Sequence, residues 1–79
     1  MAQRTTTDET RSRQEIEAYL ETLAAAFGEG GEEIRVPVGN KTVTLSPPEE
    51  VGLSVDVIER SSRLRGNHEK IELELAWKS

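Results

Sequence analysis

The feature that most constrains the fold of this chain is a change in apolar period between residues 27 and 34. Before the change, apolar residues recur three and four positions apart, which is the period of an α-helix. After the change they recur at every second position, which is the period of a β-strand facing a core on one side. The sequence therefore predicts one helix followed by strands, an α+β domain.

The predicted helix starts at a capping box, in which Ser12 stands three residues before Glu15. The serine hydroxyl of such a box accepts the N3 backbone N–H, and the glutamate reaches back to the N-cap N–H. Gly28, Gly30 and Gly31 predict the end of the helix, because glycine accepts the left-handed conformation found at helix ends. The predicted apolar helix face consists of Ile16, Tyr19, Leu20, Leu23, Ala24 and Phe27.

A first hairpin is predicted around Gly39-Asn40, since a two-residue turn with glycine first suits type II′ geometry. Opposed residues of an antiparallel pair share a face. One register therefore places all five apolar side chains of the two strands on the same face, namely Ile34, Val36, Val38, Val43 and Leu45. Pro37 has no backbone N–H for a third strand, which predicts a sheet edge at strand one. The predicted cross-strand pairs are Val38 with Lys41, Val36 with Val43 and Ile34 with Leu45.

Two further strands are predicted after the stiff connection Ser46-Pro-Pro-Glu-Glu50. Strand three alternates over residues 51–57 and strand four over 70–78, with a polar loop at 60–67 between them. Sequential antiparallel strands usually neighbour one another, which predicts the meander order 1-2-3-4 with the helix across the apolar face. The predicted pairs are Val57 with Ile71, Val55 with Leu73, Leu53 with Leu75 and Val51 with Trp77.

The 79 residues suffice for one domain, predicted at 12–78 after a disordered polar tail at 1–11. A hydrophobic fraction of 34% implies a small core. Cores of this size leave only about 3–5 kcal/mol of net stability without further help. The chain has no cysteine, which excludes a disulfide and a thiolate metal site. The expected sources of further stability are oligomerisation, a bound partner or favourable salt conditions.

Charge argues against nucleic acid as a partner, because acidic residues outnumber basic ones 15 to 10 and the net charge is −5. Phosphate binding gains affinity from clustered Lys and Arg. No apolar run is long enough to span a membrane, and the start lacks the apolar stretch of a signal peptide. We therefore expect a cytoplasmic protein, and the excess of carboxylates fits a cytoplasm rich in salt.

No set of residues with the spacing of a catalytic site is found. Catalysis needs a nucleophile or base beside a partner, and the single histidine, His68, has only Glu69 as an acidic neighbour in sequence. The glycines at 28–31 follow a predicted helix rather than a strand, so they do not form a phosphate-binding loop. We expect no enzyme, no cofactor, no metal and no catalytic residue.

Three interpretations are open for the glutamates Glu69, Glu72 and Glu74. They can form a solvated outer face that keeps the protein soluble. They can also discourage foreign strands from pairing with an edge strand. The third interpretation is a cation-binding or basic-partner site, since the register places Asp56 opposite Glu72 and oxygen ligands suit Ca²⁺.

Two further features have a functional and a structural interpretation. The basic cluster Arg60, Arg63 and Arg65 can meet an anion or an acidic partner, or it can balance nearby glutamates. Trp77 is interpreted as a lid over the core, with an exposed interface tryptophan as the alternative.

The capped helix, the glycine break, the two-residue hairpin and above all the ending Ile71-Glu-Leu-Glu-Leu-Ala-Trp77-Lys78 resemble the amphi-Trp domain family. These are short archaeal and bacterial proteins, frequent in haloarchaea, with a C-terminal amphipathic strand that ends at a tryptophan. The resemblance covers residues 12–78 and implies a halophilic source. It implies no activity, cofactor or site residue.

The leading hypothesis is a non-catalytic protein-interaction or self-association module that docks through the edge of strand four. A small-ligand or cation-binding protein that uses the acidic outer face is the alternative. Nucleic-acid binding through the Arg60–Arg65 loop is the third hypothesis. The candidate interaction residues are Glu72, Glu74, Trp77, Arg60, Arg63 and Arg65.

Overall fold

A computed structural model describes residues 3–64 and 66–78. Its helix α1 spans Arg13–Glu29 and confirms the predicted cap. The Glu15 backbone N–H donates to Ser12 Oγ at 3.1 Å, and the Ser12 N–H donates to Glu15 Oε1 at 3.3 Å. Both halves of the capping box are therefore formed, and α1 begins where the sequence predicts it.

Gly30 and Gly31 end α1, as predicted, whereas Gly28 lies within the helix. Gly30 is the C-cap, and its N–H donates to the Ala26 carbonyl at 2.9 Å; Gly31 follows with a positive φ of 68°. A Cβ on Gly30 would lie 2.7 Å from Cγ2 of Ile34 and would also clash with the Ala26 carbonyl oxygen. Glycine is therefore required at position 30 for Ile34 to approach the end of the helix.

Strands β1, Ile34–Val38, and β2, Lys41–Leu45, form the predicted hairpin in the predicted register. Gly39 has a φ of 62°, while Asn40 is not among the residues with positive φ. A positive φ at the first turn position alone agrees with a type II′ turn. The turn and the register were therefore both predictable from the residues around Gly39-Asn40.

Helix α1 packs against β1. The Tyr19 hydroxyl donates to the Pro37 carbonyl at 2.8 Å. Ile34, 2% exposed, is the one buried residue among those described. These contacts form a small core between α1 and β1.

Strands β3, Gly52–Ser62, and β4, Gly66–Ala76, form a second antiparallel hairpin. The predicted pairs Val57–Ile71, Val55–Leu73 and Leu53–Leu75 are confirmed. The predicted polar loop at 60–67 is wrong, because the ladder continues through Arg60 opposite His68 to Ser62 opposite Gly66. Backbone hydrogen bonds extend the strands where both faces are polar and no apolar alternation marks them.

The end of β4 also differs from the prediction. Gly52, the first residue of β3, pairs with Ala76, so the ladder ends there and Trp77 follows the strand. The pair predicted for Val51 and Trp77 lies one step beyond the ladder.

The α+β class is confirmed, since residues 3–64 and 66–78 form one helix and four strands. In the described residues the strands pair as two antiparallel sheets, β1–β2 and β3–β4. The chain divides between Pro47 and Pro48 into two units. We call them the helix unit, which holds α1, β1 and β2, and the hairpin unit, which holds β3 and β4. Among the described residues, no helix is long and apolar enough to cross a membrane.

Candidate interaction surface on the hairpin unit

The hairpin unit has an apolar face and a charged face, because side chains alternate across a strand. The ladder register assigns the side chains to their faces. The apolar face consists of Leu53, Val55, Val57, Ile71, Leu73 and Leu75, and toward the turn the same side of the ladder carries Glu59, Ser61, Asn67 and Glu69. The charged face consists of Ser54, Asp56, Ile58, Arg60, His68, Lys70, Glu72 and Glu74.

The apolar face is largely exposed. Leu73 is 51% exposed and Ile71 is 74% exposed, with Leu53, Val55 and Val57 between these values. Only Leu75 is half-buried. A two-stranded hairpin is marginally stable by itself, and a third strand or a packed helix is needed for independent stability. This face therefore needs a covering partner or an extension of its sheet.

One half of the charged face is acidic. Asp56 lies opposite Glu72 and Ser54 lies opposite Glu74, as the predicted register requires. The Lys70 Nζ lies 2.6 Å from Glu72 Oε1, two positions along the same strand. This ion pair offsets the repulsion between Asp56 and Glu72. Among the described residues, no group of acidic and histidine side chains has the arrangement of a metal site.

The other half of the charged face is basic. Arg60 lies directly opposite His68, and Lys70 follows on β4 opposite Ile58. Their side chains line an open groove of about 830 Å³ near the hairpin turn. The turn closes at Gly66, which has a φ of 79°. The charged face is therefore divided along the hairpin, with basic side chains near the turn and acidic ones near the open end.

The structure places the predicted site residues in different settings. Glu72 and Glu74 lie on the charged face, and Arg60 lies in β3 rather than in a loop. Arg63 is exposed in the turn after β3, and Trp77 is half-buried after β4. Arg65 lies outside the described residues, so the predicted cluster of three arginines is described only in part.

Sequence reasoning missed the neighbours that the structure gives to Arg60, namely His68 and Lys70. The predicted register of β3 and β4, if extended toward the turn, would have shown that Arg60 lies opposite His68. Three more steps along the ladder, beyond the predicted pair Val57–Ile71, place Arg60 opposite His68. The predicted loop at 60–67 hid this signal, because it ended both strands too early.

A second charged cluster lies at the start of α1, where Arg11 forms ion pairs with Glu9 and with Glu15, the latter at 3.0 Å. The hydrogen bond from Arg11 lowers the pKa of Glu9, with Thr7 adding to the effect. The Ser12 backbone N–H lowers the pKa of Glu15, and Arg11 contributes further. The two carboxylates raise the pKa of Arg11. These exposed contacts tie the segment before α1 to its first turn.

Comparison with known proteins gives one match. The family model of the Amphi-Trp domain matches residues 1–79, the whole chain. The resemblance inferred from the capped helix and the closing strand is thereby confirmed, and it extends over residues 1–11 as well. No curated protein and no solved structure matches the chain significantly.

Proposed function

This chain belongs to the Amphi-Trp domain family, and we propose that it works as a non-catalytic module that associates with a second copy of itself through β4. The observation that carries the proposal is the exposed apolar face of the hairpin unit, at 51–74% for five side chains. Two paired hairpins make a four-stranded sheet that carries the apolar side chains of both hairpins on one face. Such a sheet has the strand number that independent stability requires.

The edge of β4 suits strand addition. It runs for 11 residues without proline, whereas β1 carries Pro37. An unpaired edge presents a row of backbone N–H and C=O groups that another strand can pair with. Strand addition obtains its affinity from these main-chain hydrogen bonds. A second copy that pairs along β4 therefore needs no preformed pocket.

We propose separately the predicted single sheet in the order 1-2-3-4 with α1 over its apolar face, an arrangement that would cover this face within one chain and leave the β4 edge to explain self-association. Its support is the alternation of apolar residues and the usual adjacency of sequential strands. In that arrangement β3 lies inside the sheet and β4 is the open edge. A salt-rich cytoplasm remains the proposed compartment, on the composition alone.

Sedimentation velocity over a concentration series, from about 1 μM to about 1 mM, tests self-association. We expect a mass that rises with concentration to about twice 8.8 kDa. A mass of 8.8 kDa at every concentration would contradict the proposal.

Amide hydrogen exchange in the same series separates the two parts of the proposal, since exchange reports which backbone N–H groups are bonded. In a single four-stranded sheet, the β3 amides that point away from β4 are protected at every concentration. With self-association, the β4 amides that point away from β3 gain protection only as the dimer forms. Concentration-independent exchange at those β4 amides would count against self-association through β4.

The two alternatives have weaker support. The Lys70 ammonium forms an ion pair with a carboxylate oxygen of Glu72. This ion pair disfavours the binding of a cation on the acidic half of the charged face. A flat calorimetric titration with Ca²⁺ would remove that alternative. The net charge of −5 disfavours nucleic-acid binding through Arg60 and its neighbours. Such binding predicts a gel-shift affinity that falls with salt.

A further inference from the structure

We infer that β4 pairs antiparallel with β4 of a second copy about a two-fold axis through Ile71. This inference rests on the proposed self-association and adds to it the register of the contact. A two-fold interface uses the same surface on both subunits, so the strand must be complementary to itself. The charge order along β4 meets that requirement in one register.

The charged face of β4 carries two basic residues followed by two acidic ones. They are His68, Lys70, Glu72 and Glu74. Antiparallel pairing about Ile71 places residues equidistant from Ile71 opposite each other. Lys70 then lies opposite Glu72 of the partner subunit, and His68 lies opposite Glu74 of the partner subunit. Opposite charges directly across a sheet are favourable. The two-fold axis repeats both pairs, so two Lys70–Glu72 contacts join opposite charges and two further contacts place the His68 ring beside Glu74.

Neighbouring registers bring like charges together. An axis through Glu72 places Glu72 against Glu72 of the partner subunit. An axis through Leu73 places Glu72 against Glu74 of the partner subunit, and an axis through Lys70 places two lysines in contact. Like charges directly opposite are destabilising. The register about Ile71 is therefore selected by charge.

Registers centred between two residues are excluded by the pleat. A one-residue shift moves every side chain to the other face. Such a register would join the apolar face of one hairpin to the charged face of the other. The axis through Ile71 keeps both apolar faces on one side, with Ile71 opposite Ile71 of the partner subunit. Leu73 then lies diagonal to the same Ile71, within reach of large side chains.

Two reversed variants test the register, Lys70→Glu and Glu72→Lys. In a homodimer of Lys70→Glu, glutamates oppose each other at both pairs next to the axis; in a homodimer of Glu72→Lys, lysines do. We expect each variant to dimerise about tenfold more weakly than the wild type, or worse. The double variant Lys70→Glu/Glu72→Lys exchanges the charges and is expected to dimerise like the wild type.

A mixture of the two single variants provides the sharpest readout. Every pair next to the axis is attractive in the heterodimer, so the mixture is expected to recover wild-type association. Isotopic labelling of one variant distinguishes heterodimers from homodimers by native mass spectrometry. Each variant lacks the ion pair within its own strand between residues 70 and 72. Recovery in the mixture therefore cannot come from that ion pair.

The variant Glu17→Lys, on the exposed surface of α1, makes the same change in net charge as Glu72→Lys and is expected to dimerise normally. Reversed variants that dimerise like the wild type, or a mixture without heterodimers, would overturn the register and leave self-association standing. A wild-type chain that is monomeric throughout would instead overturn the self-association on which the register rests.

Discussion

The two hairpins of this chain are built by the same antiparallel ladder but differ in burial. In the helix unit, strands of five residues form the ladder, and β1 packs against α1, where Ile34 is 2% exposed. In the hairpin unit, strands of 11 residues hold no fully buried residue among those described. Ladder length and burial are therefore separate quantities. Pairing is made along a strand, whereas burial needs an element that lies on its face.

The comparison also shows how each unit is held together. The helix unit combines a capped helix end, the Tyr19–Pro37 hydrogen bond and one buried side chain. The hairpin unit has a long ladder and an ion pair between Lys70 and Glu72. Substitutions in the first unit should therefore change stability most, and those in the second should change association.

The largest expected effect is that of Ile34→Ala. Truncation of a buried isoleucine costs about 2–5 kcal/mol, because a cavity adds to the lost transfer free energy. Denaturant unfolding, read by the ellipticity of α1, measures the change. The control is Leu64→Ala, at a residue 96% exposed, with an expected change under about 0.5 kcal/mol. Equal changes in the free energy of unfolding at the two positions would show that the burial of Ile34 does not stabilise the fold.

A smaller loss, about 1 kcal/mol, is expected for Leu73→Ala in the hairpin unit. Leu73 is 51% exposed, so about half of the roughly 1.5–3 kcal/mol for a fully buried leucine is at stake. Unfolding at a concentration where the chain is monomeric measures it. A cost equal to that of Ile34→Ala would mean that Leu73 is fully covered in solution.

Ser12→Ala is expected to lower the free energy of unfolding by about 1 kcal/mol, because it removes the N-cap acceptor. Thermal melts followed by helical ellipticity measure the loss. Ser12→Asp is the matched control, since aspartate caps helices about as well as serine. If Ser12→Asp loses as much as Ser12→Ala, the cap is not the cause.

Acid should weaken the start of α1. The pKa of Glu15 in the folded chain lies below its ordinary value, through the Ser12 N–H first and Arg11 second. The ionised Glu15 carboxylate therefore stabilises the folded chain in full above the ordinary glutamate pKa of about 4.3. The stabilisation is lost as pH falls through the lowered pKa. Helical ellipticity, followed from neutral pH into acid, measures this loss. In the variant Glu15→Gln the acid-induced loss of ellipticity should be smaller. An identical acid transition in Glu15→Gln would show that Glu15 does not contribute.

The elements that the sequence predicted well depend on local chemistry. The capping box at Ser12 and the turn at Gly39 are satisfied by residues within four positions of each other. The registers of both hairpins follow from the period of two, because a slip of one residue would move Val36 or Leu73 to the other face. Arg60 to Ser62 were missed as strand, since both faces are solvated there and no alternation marks them. Whether β2 pairs with β3 depends on long-range packing, which no local pattern encodes.

The charge order on β4 also bears on the risk of fibre formation. A long edge strand is a template for cross-β growth, in which identical segments stack in parallel and in register. Such a stack would place Lys70 on Lys70 and Glu72 on Glu72 at each step of about 4.8 Å. The order that favours antiparallel pairing of two copies therefore opposes open-ended polymerisation. A two-fold contact occupies the β4 edge of both chains and leaves no β4 edge for a third copy.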